Sequence, residues 1–381
     1  MKKLTIGLVL DDTLDTPDGV AQYVLTIGAW LNGQGHEVHY LVGETRRMDV
    51  ANLHSLSRNV KMRFNGNRMS TPLPVARTKL TKLLRRQYFD VLHVQMPYSP
   101  FLAGRIVKAA SARTAIVGTF HVLPYSGWSR AANRALALVL HSSLKRFDRV
   151  FAVSSPTRTF VKHAYHVEPT VLPNVVDVAR FRNAKPLPQY DDGTLTIMFL
   201  GRLVPRKGCM TLLEAANILR KRKSLPPFRV VICGKGPLDA ELKRYVADQS
   251  LEQFVAFTGF ISEADKPSYV ASADIMVYPS SGGESFGIVL LEAMSSGRSV
   301  VLAGDNPGYR SVLAPKPELL FPATDAFALA NKLTVYLRDE PARKTIIDWE
   351  KAYVRQFDVA VVGKKLLEQY AACCRKRAKR G

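Results

Sequence analysis

Short apolar runs alternate along the chain with longer stretches in which apolar residues recur every three or four positions. The first pattern fits a buried strand, the second an amphipathic helix. In the first half, residues 4–10, 36–42, 90–94, 114–120 and 149–153 read as strands, and residues 20–31, 75–87, 100–110 and 131–145 as helices. The pattern resumes after about residue 190. Strands are expected at 194–200, 228–233, 255–258, 275–278 and 299–302, and helices at 209–221, 238–249, 263–272 and 285–295. Such alternation implies parallel sheets covered by helices on both faces. Between the halves, residues 183–193 hold Pro186, Pro188 and the adjacent Asp191 and Asp192, a composition suited to a linker.

The expected fold class is α/β, with two Rossmann-like doubly wound domains facing across a cleft. The first domain is expected over 1–183 and the second over 184–358. A C-terminal helix at about 359–381 is a candidate to pack back on the first domain. A chain of 381 residues exceeds one ordinary core, which agrees with two domains. In open sheets of this kind ligands bind outside the carboxyl ends of the strands.

Composition narrows the class. The apolar fraction of 47% is that of a globular protein. No apolar run approaches the ~20 residues of a membrane span. The first run follows Lys2 and Lys3, stops at Asp11 and Asp12, and lacks a small-residue cleavage site, so it reads as a strand and not a signal peptide. Cys209, Cys233, Cys373 and Cys374 show no metal-ligand spacing, and a reduced cytosolic chain is expected. The formal net charge of +22 points to an anionic partner: nucleic acid, acidic membrane or a phosphorylated substrate.

The chemistry-bearing residues lie where the strands end. Gly282, Gly283, Glu284, Ser285, Phe286 and Gly287 are followed by an apolar run and by Glu292. The glycines permit close approach to a ligand, Glu284 or Ser285 can cap the following helix, and the helix amides can face an anion. Glu292, about two turns on, reaches another part of the same ligand. A nucleotide sugar fits this order, although a capped helix start with a buried polar residue also fits the stretch alone. Arg202 and Lys207, between a strand end and a helix start, can form a diphosphate site, or a solvated basic loop. Gly234 and Gly236 are a weak glycine pair followed by Pro237, and the first strand carries no Gly-x-Gly-x-x-Gly, so a nicotinamide enzyme is poorly supported. His121 ends a strand, where it can exchange a proton near neutral pH or serve structurally.

Together with residues 89–94, 119–121 and 152–154 and with Pro173 and Asn174, these segments resemble the family-4 retaining glycosyltransferases of GT-B fold. The chain is most similar to bacterial phosphatidylinositol mannosyltransferases. The resemblance implies that Arg202 and Lys207 neutralise the donor diphosphate, Glu284 holds hydroxyls of the transferred sugar and Glu292 those of the ribose. It places backbone of Phe286, Gly287 and Ile288 at the phosphates, Gly19 near the diphosphate and acceptor, Gly234 in the donor site, His121 at the reacting sugar and Ile261 near the base. It implies no metal and no cofactor beyond the donor substrate, GDP-mannose or a UDP-sugar. Two positions depart from the pattern. Val175 stands in place of a glycine in Pro-Asn-Gly-Val-Asp, and Asp18 in place of the first glycine of a pair. A carboxylate at 18 would repel an acidic acceptor or bind its hydroxyls.

The segment 75–87 is basic and amphipathic, with Leu80, Leu83 and Leu84 on one face. Arg77, Lys79, Lys82, Arg85 and Arg86 suit an anionic membrane surface, as related mannosyltransferases use a basic helix here, or an ordinary solvated helix. The basic tail 375–380 adds to the membrane case. No recognisable nucleic-acid module accompanies it, and nucleic acid is not an expected partner. The resulting expectation is a retaining hexosyltransferase, peripheral at the cytoplasmic membrane face, acting on a lipid-linked acceptor. The alternatives are a UDP-sugar enzyme with a soluble or polysaccharide acceptor, and a non-catalytic nucleotide-sugar or anionic-surface binder.

Overall fold

The computed structural model describes residues 2–16, 18–64, 67–95, 100–124 and 127–379. The chain forms two compact units, Met1–Val175 with Val359–Gly381, and Val176–Asp358. The passage at Val175 lies ahead of the proline-bearing stretch 183–193. Helix Val178–Arg182 already packs with helices Lys266–Ala271 and Ile288–Ser296 of the second unit, and Phe181 is buried there.

The strands of the first unit are β1 (Thr5–Leu10), β2 (Glu37–Val42), β3 (Leu53–Ser55), β4 (Asn59–Phe64), β5 (Asn67–Pro72), β6 (Val91–Gln95), β7 (Ala115–Phe120), β8 (Arg149–Ala152) and β9 (Thr170–Val171). Among the described residues, seven of them form one parallel sheet in the order β3-β2-β1-β6-β7-β8-β9, and β4 and β5 pair separately as an antiparallel hairpin. Residues 59–64 do alternate polar and apolar positions, a strand signal that is absent from the expected elements above. The central strands are buried along most of their length, as expected of a sheet covered on both faces. Part of that cover is helix Val359–Ala378, which places Val362, Leu366 and Tyr370 in the same core as Ile6, Leu8 and Ile27. Gly363 lets it approach helix Gly19–Gly33, since a Cβ there would meet the Trp30 ring at 2.5 Å.

The second unit contains β10 (Leu195–Leu200), β11 (Phe228–Cys233), β12 (Val255–Gly259), β13 (Ile275–Tyr278), β14 (Val300–Gly304) and β15 (Leu320–Phe321). They form a parallel sheet in the order β12-β11-β10-β13-β14-β15. The strand order reverses between β1 and β6 in the first unit and between β10 and β13 in the second. Segments leaving the carboxyl ends of such a strand pair part in opposite directions and leave a crevice.

Candidate active site

At the β10–β13 reversal two segments come together. After β10 the chain makes a 3₁₀ turn, Pro205–Lys207, and Gly208 takes φ 69° to enter helix Cys209–Leu219. A Cβ on Gly208 would lie 2.0 Å from the Pro279 carbonyl oxygen, so only glycine permits this approach. Glu284, from the segment after β13, points its carboxylate at the turn. Its Oε1 accepts from Arg206 Nη1 at 2.7 Å, lies 2.8 Å from Lys207 Nζ and accepts from Ser280 Oγ at 2.8 Å. The backbone of Glu284 is seated on Gly308, where a Cβ would meet its carbonyl at 2.2 Å. Asn306 fixes the floor by donating to the Ser280 carbonyl and capping helix Pro307–Leu313.

The electrostatics follow from this packing. Burial by itself would raise the Glu284 carboxyl, but the charges of Lys207 and Arg206 outweigh it and hold the group below the usual carboxylate range. The side chains of Arg206, Lys207 and Glu284 retain 13%, 17% and 14% exposure, enough to leave one edge accessible. Arg202 is exposed at the end of β10, and its charge reaches Lys207. The cluster therefore contains three cations. The sequence reading named Arg202 and Lys207 and missed Arg206, because consecutive Arg and Lys on a turn give no sign of which one faces inward.

The helix behind Glu284 differs from expectation. It runs Ile288–Ser296, with Gly287 at φ 112° before it and no side-chain cap. Glu284 does not cap it, since Arg206 and Lys207 hold its carboxylate. An uncapped helix start suits an incoming anion. Phe286 turns its ring inward, edge-on to Phe357, so only its backbone faces outward. Glu292 is one turn into the helix and buried. Its Oε1 accepts from Lys266 Nζ at 2.7 Å, and Lys266 also lies 2.8 Å from Glu263 Oε2. Burial works against the Lys266 charge, but Glu292 and Glu263 outweigh it and raise its proton affinity. The sequence reading missed this lysine; the Glu263–Lys266 spacing of three residues was its one local signal. Gly234 has a packing reason to be glycine: at φ 154°, its Cβ would strike the Gly201 carbonyl at 1.8 Å. Phe260 and Ile261 follow β12, the first exposed and the second half-buried.

In the first unit, Asp18 caps helix Gly19–Gly33. Its Oδ1 accepts from Val20 N at 2.9 Å and Ala21 N at 2.8 Å, so the chain's own carboxylate occupies the end where Gly19 begins the helix. His121, just beyond β7, is buried, and its Nε2 pairs with Gln95 Oε1 at 2.8 Å. Burial pushes its pKa down to about 3, against the opposing effect of a hydrogen bond with the Asn174 side chain. Burial thus favours the neutral imidazole; the sequence left both proton exchange and a structural role open for this histidine. Helix Arg77–Gln87 buries Leu80 and packs Leu83 and Leu84 against the core, leaving Arg77, Lys79, Lys82, Arg85 and Arg86 exposed. Lys79 Nζ is tethered to the Ser55 and Leu56 carbonyls. Among the described residues, no helix is long and apolar enough to cross a membrane.

Two family models cover this architecture: "Glycosyltransferase Family 4" matches residues 17–180 and "Glycosyl transferases group 1" matches residues 181–352. The phosphatidyl-myo-inositol mannosyltransferase of Mycolicibacterium smegmatis is 33% identical over 371 residues, spanning 96% of this chain and 93% of that one. The chain belongs to glycosyltransferase family 4. A GDP-mannose-dependent alpha-(1-6)-phosphatidylinositol monomannoside mannosyltransferase of the same organism is 28% identical over 287 residues, 70% of this chain and 72% of that one. Among solved structures, a glycosyltransferase from Rickettsia africae superposes with a TM-score of 0.77 at 19% identity, covering 98% of this chain and 99% of that one, and shares the GT-B fold. In this glycosyltransferase the unusual Val175 is buried in the core of the first unit. The unusual Asp18 is a helix cap.

Proposed function

We propose that this glycosyltransferase moves mannose from GDP-mannose, with retention of configuration, to a lipid-linked acceptor at the cytoplasmic face of the membrane. The observation that carries the reading is the Arg206–Lys207–Glu284 cluster beside an uncapped helix start at a strand-order reversal. That combination suits a diphosphate next to a hydroxyl-rich sugar. The names of the two relatives supply the donor, the sugar and the lipid class.

In this reading Arg202 and Lys207 meet the diphosphate, with Arg206 behind them holding Glu284 in place. Glu284 takes hydroxyls of the hexose, and Glu292 and Lys266 lie where the ribose would reach. As the bond from the anomeric carbon to phosphate oxygen breaks, negative charge grows on the leaving diphosphate. Cations and helix amides already aimed there stabilise that charge without reorganising, and one such donor is worth ~10²–10³ in rate. The acceptor hydroxyl attacks from the face the diphosphate leaves and gives its proton to the departing phosphate oxygen. The exposed Lys82, Arg85 and Arg86 would hold the enzyme against anionic lipid.

The test is a thermal-shift screen of GDP, UDP, ADP and their sugars on the wild type and Lys207→Ala. A ligand at a hundredfold its Kd adds ~2.7 kcal/mol of stability. Stabilisation by GDP and GDP-mannose, lost in the variant, is expected. A response confined to UDP compounds would move the donor, and silence with every nucleotide would overturn the reading.

A further inference from the structure

We propose that Ser280 is a positioning residue for Glu284: with Arg206 it saturates one oxygen of the carboxylate, so that the other is presented to the hexose of the donor. The proposal rests on the reading of Glu284 as the residue that takes hexose hydroxyls. Ser280 lies two residues beyond the end of β13 and is 1% exposed. Three donors converge on the same atom, Glu284 Oε1: Ser280 Oγ at 2.8 Å, Arg206 Nη1 at 2.7 Å and Lys207 Nζ at 2.8 Å. Among the described residues none bonds Oε2. An ionised carboxylate offers about two lone pairs on each oxygen, so Oε1 is full and a ligand hydroxyl can join only Oε2.

Chemistry sets the direction of the serine bond. Lys207 and Arg206 keep Glu284 ionised, so it brings no proton and the hydroxyl must donate. The hydroxyl has one proton to give. The Arg206 and Gly282 carbonyls lie farther off, at 3.0 and 3.3 Å, and are uncharged, so the proton goes to the carboxylate. The serine backbone is fixed as well. Its carbonyl accepts from Asn306 Nδ2 at 2.9 Å, while Asn306 Oδ1 accepts from Tyr309 N at 3.0 Å, so backbone partners at both ends settle which way that amide points. The next residue, Ser281, donates its N–H to the Arg206 carbonyl at 2.9 Å and ties this segment to the cationic turn. Lys207 is also the donor expected at the diphosphate. When a diphosphate draws it off Oε1, Arg206 and Ser280 still hold that oxygen, and Glu284 keeps its aim.

Isothermal titration of the full chain with GDP and with GDP-mannose separates sugar contacts from nucleotide contacts. Ser280→Ala removes no charge, so affinity for GDP should stay within about twofold of the wild type. Affinity for GDP-mannose should fall about tenfold, the size of one hydrogen bond to a charged group. Ser280→Cys, similar in shape and a weak donor, should show the same split, and it carries the test if alanine lowers the melting temperature. On a Glu284→Gln background the serine change should lower GDP-mannose affinity no further, because the two residues act through one contact. An equal loss for both ligands, no loss for either, or full additivity with Glu284→Gln would overturn the proposal. Failure of the mannose reading would show separately, in the wild type, as binding of UDP and a UDP-hexose in place of the GDP pair; the same split is then read on that pair.

Discussion

Lys266 binds two carboxylates with all but 7% of its side chain out of water, and one of them, Glu292, is equally buried. Removing one member of such a set leaves uncompensated charge and costs about 3–5 kcal/mol. Lys266→Met should lose that much stability. Lys266→Met combined with Glu292→Leu should lose clearly less than the sum of the single changes. Urea melts of the four proteins in the cycle measure the coupling, and strict additivity would refute it. Glu284 gives a pH signature. Its carboxyl is held below the usual range by Lys207 and Arg206, so its contribution is fully present above the ordinary carboxylate pKa. That contribution is lost as pH falls through the lower folded value. Wild type and Glu284→Gln should therefore differ in urea midpoint at pH 7 and converge in acid. Convergence at pH 7 instead would mean the ion pairs add nothing. Glu284 and Lys207 were both legible in the sequence, because glycine spacing and strand ends mark them. Arg206, Ser280 and Lys266 were not, because their partners lie far along the chain.

Elements carry a second set of consequences. Helix Glu340–Tyr353 buries Glu350, whose Oε1 accepts from Val301 N at the head of β14 at 2.9 Å and whose Oε2 has no partner. Burial pushes this carboxyl well above its ordinary value, so the folded state keeps the proton. Its contribution is complete below the unfolded pKa of about 4.3 and is lost as pH rises towards the folded value. Glu350→Gln should match the wild type at pH 4 and exceed it at pH 8 in chemical denaturation. An equal decline in both would show that Glu350 ionises in place. On helix Arg77–Gln87, Lys82, Arg85 and Arg86 project without the tether that holds Lys79. Serine at all three should weaken sedimentation with phosphatidylglycerol vesicles by roughly 1 kcal/mol per residue at low salt, while leaving the fold intact. Undiminished binding would assign the membrane contact elsewhere. The amphipathic stripe of this helix was readable from spacing, but the tether of Lys79 depends on where β3 ends.

At the scale of the whole molecule, the first unit is assembled from both ends of the chain. Val359, Val362, Leu366, Leu367, Tyr370 and Cys373 lie in its main core. A buried side chain of this kind contributes about 1.5–3 kcal/mol, and a domain holds only about 5–15 in reserve. Truncation before Val359 should therefore unfold the first unit, seen as loss of its cooperative melt and of soluble yield; a normal melt would show that the helix is dispensable. The sequence by itself determined the strand–helix alternation, the two parallel sheets and the segments that carry chemistry. Those follow from local periodicity and from glycines at strand ends. Only the tertiary structure decided that Arg206 shares Glu284 with Lys207 and that His121 is buried. It also decided that Asp18 caps a helix and that the last helix completes the first core. Each of these depends on which distant residues exclude water from a given side chain, and no local pattern encodes that.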